Sequence, residues 1–235
     1  MKAIVLCGGL GTRLGALTHD MPKPLLEVAG RPFLTYVLDQ LVTAPIDEII
    51  LAVSYQWQKI QSMICEQWRG VKVSYSIEEE PLGTGGAIKQ ALTQFHLSEA
   101  IVVNGDTLLK CDTAALVQLA RDRNADIGMA LKMTSDTARF GKVKIDQSGH
   151  VTAFEEKGGC SQGLINAGAY FVKSSVFSLV DATQFSFEND ILMQNLSNLN
   201  IYGMPTDAYF IDMGVPEDLS KAQNELGTIT KMANV

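Results

Sequence analysis

The sequence predicts an α/β fold, a mostly parallel sheet flanked by helices. Three observations lead there. Up to Ile77, apolar strand-like runs alternate with segments of helical spacing, in the order strand, loop, helix, strand, helix, strand. The segments that follow these runs are rich in Gly, Pro and charged residues, as ligand-binding loops at the carboxyl ends of parallel strands are. Of the 235 residues, 46% are hydrophobic and 19% charged, so a substantial core can be buried in one large domain or two small ones.

The first element is the apolar run Ala3 to Cys7, which meets Gly8, Gly9 and Gly11 and reads as a buried strand entering a loop. Glycines let a ligand approach the backbone, and the N–H groups of such a loop bind phosphate. Arg13 adds a fork of donors suited to phosphate oxygens and Lys23 a point charge. Pro22 and Pro24 predict that Lys23 sits on a stiff extended segment. The loop is neither of two common phosphate loops. Arg13 stands where GxxxxGK[ST] needs its second glycine, and Leu14 where GxGxxG needs its third. On these residues alone, a phosphate loop and a plain turn are equally open.

The next elements follow by periodicity. Leu25 to Val28 reads as a short strand, Gly30 as a turn, and Pro32 as the first turn of a helix with Phe33, Tyr36, Val37, Leu38, Leu41 and Val42 on its apolar side. Glu48 to Val53 is a buried strand, 56–67 a helix, and the alternating Val71 to Ile77 a strand. Glu78 to Ala87 (EEEPLGTGGA) predicts a tight glycine loop before a helix over 87–94. Its three acids would repel phosphate, so it suits a base or ribose better, or is simply a turn with an acidic edge.

Ala100 to Val103 is a buried strand, and Asp106 lies just past its end. A carboxylate there suits a divalent cation beside phosphates. Capping the helix expected over 111–124 is the competing role, which Asp112 or Thr113 could fill instead. After a strand over 127–133 the rhythm changes. Gly141 to Ile145 and Val151 to Phe154 predict an antiparallel hairpin, which in a parallel sheet builds a lid or a substrate-side subdomain. Glu155, Glu156 and Lys157 follow, and by spacing alone a solvated turn is favoured for them. Leu164 to Val172 is a strand, 186–195 a helix, 201–204 a short strand, and Tyr209 to Asp212 a strand carrying Asp212 at its end. The last helix starts near Pro216, and the polar residues after Gly227 are expected to fray.

Charge and composition exclude several functions. A net charge of −7 and a pI near 5.0 argue against nonspecific binding of nucleic acid or anionic membrane. No run of about 18 apolar residues predicts a membrane span, and the N-terminus lacks a signal-peptide pattern. Four cysteines (Cys7, Cys65, Cys111, Cys160) without CxxC or CxxH spacing fit free thiols in a cytoplasmic protein.

The motifs CGGLGTRL, LT-three residues-PKPL, EPLGTGGA, VNGDT, FEEK, INAGAY and DMGVPED run in order from Leu6 to Asp218. In that order they resemble the sugar-1-phosphate nucleotidylyltransferases. SYSIEEEPLGTGGAIK, QGLINAGAY and FSFEND are most similar to the D-glycero-D-manno-heptose 1-phosphate guanylyltransferases among them. The resemblance implies a single Rossmann-like, GT-A-like domain over 1–235, with 1–110 mainly binding nucleotide and 127–215 mainly binding sugar phosphate. It implies attack of a sugar 1-phosphate oxygen on the α-phosphorus of a nucleoside triphosphate, releasing pyrophosphate and giving a nucleotide sugar for surface polysaccharide synthesis. GTP and the heptose 1-phosphate are the implied substrates. Mannose 1-phosphate with GTP, or glucose 1-phosphate with UTP or dTTP, are the alternatives, and a homo-oligomer is compatible with it. A non-catalytic regulator is disfavoured because Arg13, Lys23, Asp106 and Asp212 are all present.

Carried onto this sequence, the resemblance makes Arg13, Lys23 and Asp106 catalytic. It places Leu6, Gly8, Gly9, Gly11, Thr12, Glu80, Gly83 and Thr84 with them around the nucleotide. Asn104, Gly141, Glu156, Lys157 and Asn166 would hold the sugar phosphate, which reverses the solvated-turn reading of 155–157. Asp106 and Asp212 would hold Mg2+. Val215 stands where the family has threonine, a β-branched residue of similar size.

Overall fold

The computed structural model describes residues 1–9, 15, 18, 19, 21–135, 137, 139–156, 158 and 161–233, with side chains through 227. The chain starts with β1 (Lys2–Leu6). Next comes a single 3-10 turn, Lys23–Leu25, rather than the expected extended segment and strand. Pro24 has no N–H to give a ladder, and the N–H groups of Leu25 and Leu26 close back onto the carbonyls of Pro22 and Lys23. Only β2 (Glu27–Val28) and β3 (Arg31–Pro32) remain as a small antiparallel pair. Pro32 caps α1 (Phe33–Leu41) from outside instead of opening it.

β4 (Glu48–Val53) is buried along its whole length. α2 (Trp57–Ile64) is shorter than its pattern predicts, because Cys65 turns out of the helix at φ +60°. β5 (Gln67–Trp68) and β6 (Val71–Ile77) follow. α3 (Gly83–Gln94) starts four residues earlier than its apolar spacing suggests. Gly83, Gly85 and Gly86 lie inside its first turns and serve packing, not a loop. A Cβ at Gly83 would stand 2.5 Å from the Phe185 carbonyl oxygen, and one at Gly86 2.4 Å from that of Thr183.

After β7 (Glu99–Asn104), a short β8 (Thr107–Leu109) precedes α4 (Thr113–Asp122). Asp112 is the cap of α4, accepting from the N–H groups of Ala114 and Ala115. That leaves Asp106 free of the capping role. β9 (Ile127–Thr134) is followed by the expected hairpin, β10 (Lys142–Ile145) with β11 (Val151–Glu155), and by the long β12 (Gly163–Lys173). The predicted helix over 186–195 is a π-helix, Phe187–Met193. β13 (Ile201–Thr206), β14 (Phe210–Asp212) and α5 (Pro216–Ala233) complete the chain. α5 continues through Gly227, where a Cβ would make an ordinary 3.7 Å contact with Ala29 Cβ.

The main sheet has the order β13-β9-β12-β7-β1-β4-β6-β5. β7, β1, β4 and β6 run parallel, as do β9 and β13, while β12 is antiparallel to both of its neighbours and β5 to β6. Successive residues alternate between faces. Ala3, Val5, Ile49, Leu51, Ile101 and Val103 join one core with residues of α1, α2, α4 and α5. Ile4, Ile50, Ala52, Ala100 and Val102 join the other with α3 and the Phe185–Leu192 region. With both faces covered, the ligand-accessible part of the sheet is its rim, where the carboxyl ends of β1, β4 and β7 lie side by side. No helix among the described residues is long and apolar enough to cross a membrane. Cys7 and Cys111 are buried free thiols and Cys65 an exposed one; Cys160 lies outside the described residues.

Candidate active site

A cavity of about 410 Å³ opens at that rim. Its walls bring together seven residues singled out from sequence: Leu6, Gly8, Gly9, Gly83, Thr84, Asn104 and Asp106. Parallel pairing accounts for the assembly, because Leu6 at the end of β1 is in register with both Ala52 and Asn104. Gly11, Thr12 and Arg13 lie outside the described residues.

At Gly8 the glycine has a steric origin. A Cβ on Gly8 would stand 2.7 Å from Glu78 Oε1 and 3.1 Å from Ser54 Oγ, and Ser54 donates to the Gly8 carbonyl at 2.6 Å. Glu78 also lines the cavity. It extends the backbone pairing of β6 by one residue, its N–H donating to the Val53 carbonyl, and its Oε2 accepts from the Leu82 N–H at 2.9 Å. Burial pushes its carboxyl above the ordinary range, and the Leu82 N–H opposes that. Glu80, the acid expected here, is exposed and lies off the cavity wall. Past the strand end its side chain follows the turn outward, whereas Glu78 keeps the inward parity of Ser76. Thr84 donates to Glu188 Oε2 at 2.8 Å and accepts from the Phe187 N–H at 2.9 Å, so its hydroxyl is fixed.

Charge gathers on the β7 side. Lys23, buried in its 3-10 turn, places Nζ 2.5 Å from Asp106 Oδ2. β14 pairs antiparallel with β8, setting Asp212 opposite Thr107, and the Met213 N–H donates to the Asp106 carbonyl at 3.0 Å. This ribbon holds the two aspartates next to each other although they are far apart in sequence. Its electrostatic signature is at Asp212, whose carboxyl is pushed up to about 6 by burial and by the charge of Asp106, against the pull of Lys23 and Arg139. Gly105 makes the turn possible, since a Cβ there would meet Cys7 Sγ and the Leu6 carbonyl oxygen at 2.8 Å.

Two neighbouring carboxylates, one of them disfavoured as the anion by burial and by the charge of the other, form a donor set for a hard divalent cation. Among the described residues no cluster of three or more His, Cys, Asp or Glu side chains has metal-binding geometry. A carboxylate pair can serve a magnesium ion whose remaining oxygens come from water and phosphate, the usual arrangement for that ion.

Of the residues expected around the sugar, Asn104 is on the cavity wall and the other described ones are outside it. Asn166 sits in a bulge of β12, donating to Tyr170 Oη at 2.6 Å and accepting from the Gly168 N–H at 3.1 Å. A Cβ on Gly168, which has φ +70°, would stand 2.7 Å from Asn104 Nδ2, so this bulge abuts the cavity wall. Gly141 (φ +73°) packs at the root of the hairpin, its Cβ position 2.6 Å from the Glu155 carbonyl oxygen, and Glu156 follows there, exposed. Gly141, Glu156 and Asn166 are not on the wall of the cavity itself. Lys157 lies outside the described residues.

Sequence reasoning missed Glu78, Arg139 and Asp218. Arg139 forms a two-pronged ion pair with Asp218, at 3.0 and 2.6 Å, beside Asp212. The period-two alternation of β6, continued one residue, singles out Glu78. Nothing local in the sequence joins Arg139 to Asp218.

A family model described as nucleotidyl transferase matches residues 2–228. A D-glycero-alpha-D-manno-heptose 1-phosphate guanylyltransferase of Aneurinibacillus thermoaerophilus is 40% identical over 227 residues, which are 96% of this chain and 98% of the relative. An enzyme of the same name from Campylobacter jejuni is 43% identical over 219 residues, 93% of this chain and 96% of the relative. The crystal structure of HddC from Yersinia pseudotuberculosis complexed with GMP-PN superposes with a TM-score of 0.84 at 36% identity, covering 96% of this chain and 99% of that one.

Proposed function

Because the chain belongs to the nucleotidyl transferase family, we propose that it transfers GMP from GTP to D-glycero-D-manno-heptose 1-phosphate, releasing pyrophosphate. The observation that carries this reading is the meeting of Lys23, Asp106 and Asp212 beside a glycine-walled cavity. The names of the two bacterial relatives and the GMP-PN complex of HddC support the choice of substrates.

In this reading an oxygen of the sugar 1-phosphate forms a bond to the α-phosphorus of GTP as the bond to the β-phosphate oxygen breaks. The nucleophile is already ionised, so no general base is required, and catalysis is positioning and charge neutralisation. Gly8 and Gly9 let the nucleotide approach the backbone closely. Lys23 neutralises the α-phosphate, held on target by Asp106. Magnesium, held by Asp106 and Asp212, would supply further neutralisation of the phosphates. The resemblance gives Gly11, Thr12 and Arg13 to the triphosphate, with Arg13 on the leaving pyrophosphate, and Lys157 to the sugar phosphate. The resemblance assigns Asn104, on the cavity wall, and Gly141, Glu156 and Asn166, outside it, to the sugar phosphate.

Glu78 favours a guanine in the cavity. Its buried carboxylate is an acceptor beside Gly8, and guanine presents adjacent N–H donors, at N1 and its exocyclic N2, that uracil and thymine cannot match. Incubation with GTP, the heptose 1-phosphate and Mg2+ tests the proposal: a GDP-heptose and pyrophosphate should appear in equal amounts. Failure to form the nucleotide sugar under these conditions contradicts it.

A further inference from the structure

Arg139 stands where three parts of the molecule meet. Its guanidinium grips Asp218, in the first turn of α5, through both Nη atoms. Gly214 lies against both Arg139 and Asp212, which are not ion-paired: a Cβ built there would lie 3.3 Å from Arg139 Nη2 and 3.1 Å from Asp212 Oδ2. Both side chains thus flank the same bare Cα, and any side chain at 214 would wedge between them. Next to it, Phe140 packs edge-on against Phe210 of β14 at 5.9 Å, two residues before Asp212. The same short segment is tied to the hairpin side. Thr137 is buried and donates to the Ser161 carbonyl, and its own carbonyl accepts from the N–H groups of Phe140 and Gly141. None of these contacts touches the cavity wall.

We propose that Arg139 is a positioning residue for Asp212: clamped by Asp218, it sets the Asp212 carboxylate in the place where a divalent cation binds. The inference rests on the reading of Asp106 and Asp212 as the metal pair. A fork on a carboxylate is geometrically demanding, and lysine cannot reproduce it. Partners that orient a ligating carboxylate change metal affinity by about 10- to 100-fold when removed. A charge effect has the opposite sign. If Arg139 acted only as a positive charge near the carboxylates, its removal would tighten cation binding.

The test is Mn2+ binding to the full chain, by electron paramagnetic resonance of the free ion, in wild type, Arg139→Lys, Arg139→Ala, Asp218→Asn and Asp212→Asn. Circular dichroism melting verifies that each variant is folded, and Arg139→Lys serves if Arg139→Ala does not fold. The proposal expects Arg139→Lys and Asp218→Asn each to weaken Mn2+ binding about tenfold or more, with Arg139→Ala no tighter than wild type. The GTP-to-UTP preference in turnover should be unchanged in Arg139→Lys, since Arg139 lies off the cavity wall. Mn2+ affinity within twofold of wild type in Arg139→Lys, with Asp212→Asn impaired, overturns the positioning role alone, as does tighter binding by Arg139→Ala. Unchanged affinity in Asp212→Asn, or no binding by wild type, overturns the metal pair itself and the inference with it.

Discussion

Lys23 Nζ lies 2.5 Å from Asp106 Oδ2, although 83 residues separate them. A buried ammonium and a partly buried carboxylate orient each other, so each is placed for an ion of opposite sign. In the proposed reaction those ions are the α-phosphate for Lys23 and magnesium for Asp106. Lys23→Ala is therefore expected to lower kcat by about 10²–10³, the range for removing one preorganised stabiliser of transition-state charge. Steady-state pyrophosphate release measures this, and a loss of less than tenfold would remove Lys23 from the chemistry.

Asp212 gives a pH-dependent prediction. Its folded carboxyl titrates near 6 against an ordinary value of 3.8. Because the folded value is raised, the native state binds more protons than the unfolded chain between these limits, and stability falls as pH rises through that window. Burial is the main cause, with the charges of Asp106 and Asp218 adding to it and Lys23 and Arg139 opposing. Asp212→Asn should thus be more stable than wild type at pH 7.5 without metal, on the order of 1–2 kcal/mol after allowing for solvent access. The difference should vanish by pH 4. Urea unfolding of both proteins at the two pH values is the measurement, and equal stability at pH 7.5 would mean that Asp106 and Asp212 do not repel.

The same variant should lose magnesium-dependent transfer, as should Asp106→Asn, with both proteins folded. In wild type, metal use should decline as pH falls through about 6, because protonation of Asp212 removes a ligand. Mg2+ titrations of turnover at several pH values check this. Substantial activity in either variant would dismiss the two-aspartate site.

Glu78→Gln should erode discrimination of bases. The amide keeps an acceptor but adds donors that face the guanine N–H groups, so kcat/KM for GTP is expected to fall about 10- to 100-fold, from about 1–3 kcal/mol per matched base contact. Relative rates with GTP, ATP and UTP read the effect. An unchanged ratio would place the base elsewhere.

Gly83→Ala tests the packing of the cavity wall. At φ +71° its new Cβ would sit 2.5 Å from a backbone oxygen of Phe185, so both strain and overlap act against it. A destabilisation of about 1–3 kcal/mol is expected in chemical unfolding. A neutral substitution would show that the contact between α3 and residue 185 yields easily.

Much of this architecture was legible in the residues. Alternation and apolar runs locate the main strands, because a strand buried on both faces has few other ways to be written. Asp106 and Asp212 stand out as acids at strand ends. What failed was local information about nonlocal packing. The glycines of α3 look like a loop until Phe185 and Thr183 are seen against them. β8 and β14 pair over three residues each, too short to show a period, yet that ribbon is what joins the two aspartates. That Glu78 and not Glu80 lines the cavity depends on one further residue of strand pairing. Arg139 and Asp218 are partners only because the hairpin root and α5 converge.

The reaction and its substrates are tested together by pyrophosphate release with Mg2+ from a grid of GTP, ATP, UTP and dTTP against heptose, mannose and glucose 1-phosphates. The highest kcat/KM is expected for GTP with D-glycero-D-manno-heptose 1-phosphate. A preference for UTP or dTTP, or for mannose or glucose 1-phosphate, would contradict it.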